Sequence, residues 1–411
     1  MKILVLGSDG YIGYPLTLHL LNRGYEVMGV DSFSRRRRVK ELGGDSLTPI
    51  LSTLNRNTYL KCKYINYFGT VDIRLGRAPI GFIRSVLKDF KPNTIVHLAE
   101  QSSAPWSMKS ADSASATQLE NVIGTLHLLW AMKETCPEAH LVKLGTMGEY
   151  GTPECDIPEG FIPNQPCYHI KDEVQIEKVN YVTIKRKCPM SGLLFPRTPG
   201  SFYHLSKVHD TFNIKFACDI WNLRSTDIMQ GVVFGVKVIG NETEYELTRF
   251  DYDECFGTVI NRFCTQAIAD HPLTVYGRGN QQRGFLPLKD SIQCLTIAIK
   301  NPPLKGEYRT WNQFENIYSI NILAKKVQEA MNGNEVRYIK DLFKTIPIKH
   351  IPNPRLEAED HYYNPTHQTL LNLGYEPTTD IQGEITNLIK DLLPYKERII
   401  KELIMPITNW R

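Results

Sequence analysis

Two short patterns in this 411-residue chain carry residue types that can do chemistry. Tyr203-His-Leu-Ser-Lys207 sets a phenol and an ammonium four residues apart, on one face of a helix. A neighbouring cation favours phenolate, so Tyr203 is expected to fall from a pKa of about 10 towards neutrality and to accept a proton from a hydroxyl. A lone Tyr-x-x-x-Lys also occurs on plain surface helices. The second pattern is Gly7-x-x-Gly10-x-x-Gly13, followed by Asp31. Spaced glycines let a backbone approach a pyrophosphate, and a helix starting there adds free N–H groups and a favourable dipole. A carboxylate at Asp31 can accept from both ribose hydroxyls and repels a 2′-phosphate, which points to NAD over NADP. Arg35 and Arg36 leave that preference less clear-cut.

Those residues need a scaffold, and the chain supplies one. Lys2–Leu6 is an apolar run suited to a strand buried on both faces. A helical stretch with Pro15 and Leu16, Leu18, Leu20 and Leu21 follows, and the next strand spans Glu26–Val30. Further strands are expected at 94–98, 141–144 and 226–229, with helices at 114–133 and 203–221 between them. Strands alternating with helices predict an α/β fold, a Rossmann doubly wound parallel sheet, with ligands at the carboxyl ends of the strands. The rhythm breaks at 152–200, which reads as a divergent insertion, and weakens from about 236. The expected organisation is a cofactor-binding domain over 1–235, to which about 289–318 return, and a smaller, discontinuous substrate-binding domain over 236–288 and 319–411.

Composition narrows the class. Lys plus Arg is 48 against 44 for Asp plus Glu, too even to argue for nucleic acid or an anionic membrane surface. Nine scattered cysteines show no Cys-x-x-Cys, so neither a disulfide framework nor a metal site is expected. No stretch approaches the length that spans a bilayer. The chain reads as a reduced, cytoplasmic protein.

The Gly-x-x-Gly-x-x-Gly spacing resembles the short-chain dehydrogenase/reductase superfamily. That resemblance implies that Thr146 holds the oxygen that Tyr203 deprotonates, with Lys207 in support. Chain length, Asn121-Val-Ile-Gly-Thr125 and Val275-Tyr-Gly-Arg-Gly-Asn-Gln-Gln-Arg283 resemble the extended branch, which acts on nucleotide sugars. There Gln281 and Arg283 would meet the diphosphate, and Asp72 and Ile73 the adenine. The same likeness assigns Tyr11, Ile12, Ser32, Leu98 and Ala99 to the cofactor, with Asn121, Gln230 and Val233. One departure stands out. Sugar 4,6-dehydratases carry Thr-Asp-Glu-x-Tyr-Gly, whereas Gly145-Thr-Met-Gly-Glu-Tyr-Gly151 has Met147 and Gly148 in place of the acidic pair. His204 and Glu149 become the candidates for moving protons, although a histidine there can equally be a packed or capping side chain.

Leu144–Thr152, Ser201–Asp210, Arg249–Asp253 and Asn353–Asn364 resemble the UDP-sulfoquinovose synthase family over almost the whole chain. The resemblance implies C4 oxidation of UDP-glucose by NAD, loss of water across C5 and C6, sulfite addition and C4 re-reduction. It carries Gln101, Gln230, Arg249, Thr258, Asn261 and Arg355 over as substrate contacts. Ser102 replaces a family arginine, which should weaken anion binding there unless Arg186, Lys187 or Arg197 fills the role from an insertion folded over the cleft. Sulfite, free or brought by a donor protein, and further copies of the chain in a homodimer or higher homo-oligomer are the expected partners, the copies meeting through helices 114–133 and 203–221. A UDP-hexose 4,6-dehydratase or 4-epimerase, and a non-catalytic NAD-binding regulator, are the alternatives.

Overall fold

A computed structural model describes all residues except 154–155, 161–196, 239–242, 334–335, 337–344, 356, 359, 361, 407 and 411. Most of the 152–200 insertion, with Arg186 and Lys187, therefore lies outside the described residues. The centre is a seven-stranded parallel sheet. Its strands are β1 (Lys2–Leu6), β2 (Glu26–Asp31), β3 (Tyr67–Asp72), β4 (Thr94–His97), β5 (His140–Thr146), β6 (Arg224–Gln230) and β10 (Tyr308–Gln313). They run in the order β10-β6-β5-β4-β1-β2-β3. Side chains alternate across the sheet, so Ile3 and Val5 enter one core with Leu16 and Leu20, while Leu4 and Leu6 enter the other with Leu128 and Met132. That is why β1 is apolar at every position from Ile3 to Leu6.

β3 and β10 were not foreseen as strands. β3 carries Gly69 at φ +98° and pairs with β2 through a register shift, and β10 is a polar edge strand, so neither shows a clean apolar run. The expected helix over 114–133 is interrupted. Ala111–Gln118 passes through a π turn at Leu119–Ile123 into Gly124–Thr135. The wide turn seats the Leu119 carbonyl against Gly76, where a Cβ would come within 2.1 Å of it.

A second body of structure is built by β7 (Val232–Phe234), β8 (Leu273–Tyr276), β9 (Gln282–Pro287), β11 (Asn316–Ser319) and β12 (Ile348–Ile351). β9 lies between β11 and β7, and β12 pairs with β8. Helices Val259–Ile268, Ile320–Asn332 and Ile381–Leu392 close over a separate core that includes Phe263, Val275, Phe285, Leu323 and Ile385. Between the two bodies, at the carboxyl ends of the parallel strands, lies a cavity of about 750 Å³. No helix among the described residues is long and apolar enough to cross a membrane.

Candidate active site

The glycine turn opens the cavity. Gly7 sits at φ +86° and donates to the Val30 carbonyl at 2.7 Å, and a Cβ there would come 2.7 Å from the Leu98 backbone. A Cβ on Gly13 would reach 1.9 Å from the Gly7 carbonyl oxygen, whereas on Gly10 the closest approach is 3.1 Å. Gly7 and Gly13 are thus demanded by packing, and Gly10 only tightly fitted. The helix Gly13–Asn22 has no side-chain cap and no acid in its first turn, so its N-terminal dipole is left for an anion.

Asp31 ends β2 with its carboxylate accepting from the amides of Asp9 at 2.8 Å and Phe33 at 2.7 Å. Burial, then the Asp9 charge, raise its pKa to about 6. The two arginines expected beside it diverge. Arg35 lines the cavity, stacks 4.0 Å over the Phe256 ring, meets Asp251 at 3.1 Å and donates to the Ser102 hydroxyl. Arg36 instead grips Asp9 at 2.6 and 2.8 Å, beside Arg56, and does not line the cavity. Ile73, Leu98 and Ala99 line it, as do Tyr11, Ile12 and Ser32. Asp72 is exposed and off the cavity wall, and Asn121 is buried against Gln101 and Ser206.

Thr146 at the end of β5 and Tyr203 and Lys207 on the helix Phe202–Trp221 meet across the cavity floor, with the Thr146 hydroxyl close enough to ease ionisation of the phenol. The acidity differs from the expectation. Burial pushes Tyr203 up to about 12, against the pull of Lys143, so the protein alone keeps the phenol protonated. Lys207, 5.9 Å from the centre of the ring, is itself drawn down to about 8 by burial, with Asp210 and Asp227 opposing. Its ammonium donates to the Leu144 carbonyl at 2.6 Å and to Glu100.

One half of the absent acidic pair, Gly148, acquires a steric explanation. His204 packs its ring where a side chain at position 148 would go, since a Cβ on Gly148 would lie 2.4 Å from Nε2. The ring is fixed through Nδ1, 3.1 Å from the Ser201 hydroxyl, and burial plus Arg283 and Arg355 lower its pKa to about 3. Glu149 does not present to the cavity. It is fully buried beside Thr211 and 3.3 Å from Arg197, with its pKa raised to about 8 by burial despite that guanidinium. Arg197 is thereby taken up beneath the floor and does not meet Ser102.

The opposite wall carries Thr258, Asn261, Gln281, Arg283 and Arg355, with Gln230 and Val233 where the two bodies join. Asn261 bonds both the Gly235 amide at 3.1 Å and the Tyr11 hydroxyl at 3.3 Å, tying this wall to the glycine turn. Arg283 is held 2.9 Å from Glu357. Two expected contacts face elsewhere. Arg249 is buried in a two-pronged pair with Asp251, and the Gln101 side chain folds onto Ser103 and Thr117. Glu100 and Lys143 were missed altogether. The lone signal was a lysine inside the otherwise apolar stretch Leu141–Leu144 of β5. Among the described residues there is no cluster that could hold a metal.

The model of the NAD dependent epimerase/dehydratase family matches residues 3–172. The chain is similar to the chloroplastic UDP-sulfoquinovose synthase of Spinacia oleracea, 43% identical over 100% of this chain and 79% of that one. It is equally similar, at 43% identity over 100% of this chain and 98% of the other, to the UDP-sulfoquinovose synthase of Sulfolobus acidocaldarius. Among solved structures it resembles a UDP-glucuronic acid 4-epimerase of Bacillus cereus, with a TM-score of 0.64 at 18% identity over 95% of this chain and 99% of that one. A dTDP-glucose 4,6-dehydratase of Bacillus anthracis gives 0.64 at 17% identity, over 97% and 98%. The last two show a shared fold, while identity along the entire length to the first two shows that this chain belongs to the UDP-sulfoquinovose synthase family.

Proposed function

We propose that the cavity converts UDP-glucose and sulfite to UDP-sulfoquinovose with a bound NAD. The observation that carries the reading is the Thr146, Tyr203 and Lys207 set on one cavity floor, with the His204 ring filling the space of a side chain at position 148. Gly7 and Gly13 keep the backbone open to a pyrophosphate, and Asp31 accepts the ribose hydroxyls. When bound, NAD supplies the positive ring that draws the phenol down and a hydride acceptor for C4, and it returns that hydride at the end. Tyr203 takes the proton of the C4 hydroxyl, Thr146 holds the oxygen, and the Lys207 ammonium steadies the phenolate.

A ketone at C4 acidifies the C5 hydrogen. His204 is the group we assign to it, because its ring stands where the side chain at position 148 would project, and burial keeps it neutral with a lone pair open to a proton. The imidazolium so formed passes the proton to the leaving C6 hydroxyl, and water departs to give a 4-keto-5-ene. The sulfur of sulfite bonds to C6, C5 regains a proton, and reduction at C4 completes a cycle without external reductant. Arg35 returns a positive charge to the place of Ser102, which supports an anion there. We assign cofactor binding to 1–235 with 289–318, and the nucleotide sugar to 236–288 with 319–411. A second copy is the proposed protein partner, because Trp130 on the helix Gly124–Thr135 and Phe212 and Phe216 on the helix Phe202–Trp221 are exposed, Phe216 at 62%.

Incubating the protein with UDP-glucose, with and without sulfite, and weighing the products tests this. A sulfonated sugar formed only with sulfite supports it. A deoxy-ketosugar or C4 epimer formed regardless of sulfite replaces it with a dehydratase or epimerase, and NAD binding without turnover with a regulator.

A further inference from the structure

Beneath the proposed catalytic pair lies a charged cluster that the mechanism above does not use. Glu100, on the turn after β4, is wedged between two lysines: its carboxylate contacts the Lys207 ammonium and lies 2.8 Å from Lys143 on β5. Lys143 also reaches Asp210 at 3.4 Å. Glu100 and Lys143 side chains are 2% and 1% exposed, among the most enclosed charges of the molecule. A buried charge persists only when partners repay its desolvation, and here each carboxylate is matched by an ammonium. A lysine on a long flexible stem has many rotamers, so something must fix its head. Lys207 is gripped by two acceptors, Glu100 and the Leu144 carbonyl at 2.6 Å.

We infer that Glu100 is a positioning residue: anchored by Lys143, it holds the Lys207 ammonium charged and in place beside the Tyr203 phenol. The inference rests on the proposed role of Tyr203 and Lys207 in oxidising C4. The groups facing Lys207 are Glu100 and His97 from β4 and its turn, Lys143 from β5, Asp227 from β6, and Asp210 and Tyr203 from its own helix. His97 is held neutral by burial and the two lysines. Glu100 is thus the one of these anions in direct contact with the Lys207 head, and its loss leaves Lys207 and Lys143 repelling each other. Lys207 must then give up its proton at lower pH, and the phenol loses its cation sooner.

The test is Glu100→Gln in the whole chain, with kcat and KM read from the sulfonated sugar formed and C4 oxidation read from the absorbance of NADH when UDP-glucose is added. We expect kcat to fall about 100-fold with KM and NAD affinity unchanged, as for a catalytic group shifted by roughly 1 Å. The alkaline limb of the pH profile should move to lower pH, and Glu100→Asp should recover part of the rate. Because an unmatched buried lysine can unfold the protein, the charge-balanced Glu100→Gln/Lys143→Met variant is measured beside it. That variant should regain the wild-type melting temperature and keep the low kcat and the shifted limb. A folded double variant with wild-type rate and profile overturns the inference, and so does one that stays unfolded, since Glu100 would then serve the fold. Absence of NADH formation in the wild type is a separate result, and it would overturn the assignment of C4 oxidation itself.

Discussion

Gly148→Ala should disable proton movement at C5 while leaving the cofactor site intact. The added Cβ would lie 2.4 Å from Nε2 and 2.5 Å from Cδ2 of His204, against a normal contact of about 3.5 Å. The ring must therefore swing by roughly 1 Å. Its Nδ1 is already 3.1 Å from the Ser201 hydroxyl, so that hydrogen bond breaks. Overpacking of this kind costs about 1–3 kcal/mol of stability. A misplacement of roughly 1 Å in a catalytic group costs about 100-fold in rate, or about 2.7 kcal/mol of barrier. The assay is mass-spectrometric uptake of solvent deuterium at C5 of UDP-glucose, alongside NADH absorbance. Exchange should drop about 100-fold while NADH still forms. Adding His204→Ala should restore the melting temperature and leave exchange low. Exchange at the wild-type rate in a folded Gly148→Ala protein would refute the assignment, because the ring cannot stay where it is.

Three further outcomes follow from the geometry. Tyr203→Phe should abolish NADH formation with NAD affinity retained, measured by fluorescence titration, since the phenol and the glycine turn are separate parts of the cavity. Asp31, with its pKa raised to about 6, is ionised only above that pH. NAD affinity should therefore rise between about pH 5 and about pH 7, whereas the free protein should lose stability from about pH 4, where the unfolded carboxyl ionises, to about pH 6; titrations and thermal melts of Asp31→Asn should show both slopes flattened. Arg35→Ala should weaken NAD about 10- to 100-fold by loss of a charge-assisted contact worth roughly 1.5–3 kcal/mol, and Ser102→Arg in the same protein should restore it if the two positions share one anion. No rescue in that titration would separate them.

The amino-acid sequence determined the features whose physics is local. Alternating burial along β1, the glycine turn and the i, i+4 placement of Tyr203 and Lys207 each depend on neighbours a few residues away, and all were legible. So was the family, because long ungapped motifs such as Ser201–Asp210 survive intact. Tertiary structure alone decided which way the charged side chains face. Arg249 and Arg36 turn into buried pairs with Asp251 and Asp9, and Glu149 sinks beside Arg197. The Lys207 ammonium is met by Glu100, 107 positions away, and by way of it Lys143. Tyr203 is held up near 12 because burial outweighs a cation whose strength could not be judged from spacing. Ion pairing and desolvation depend on what the fold brings within a few ångströms, and sequence separation carries no information about that.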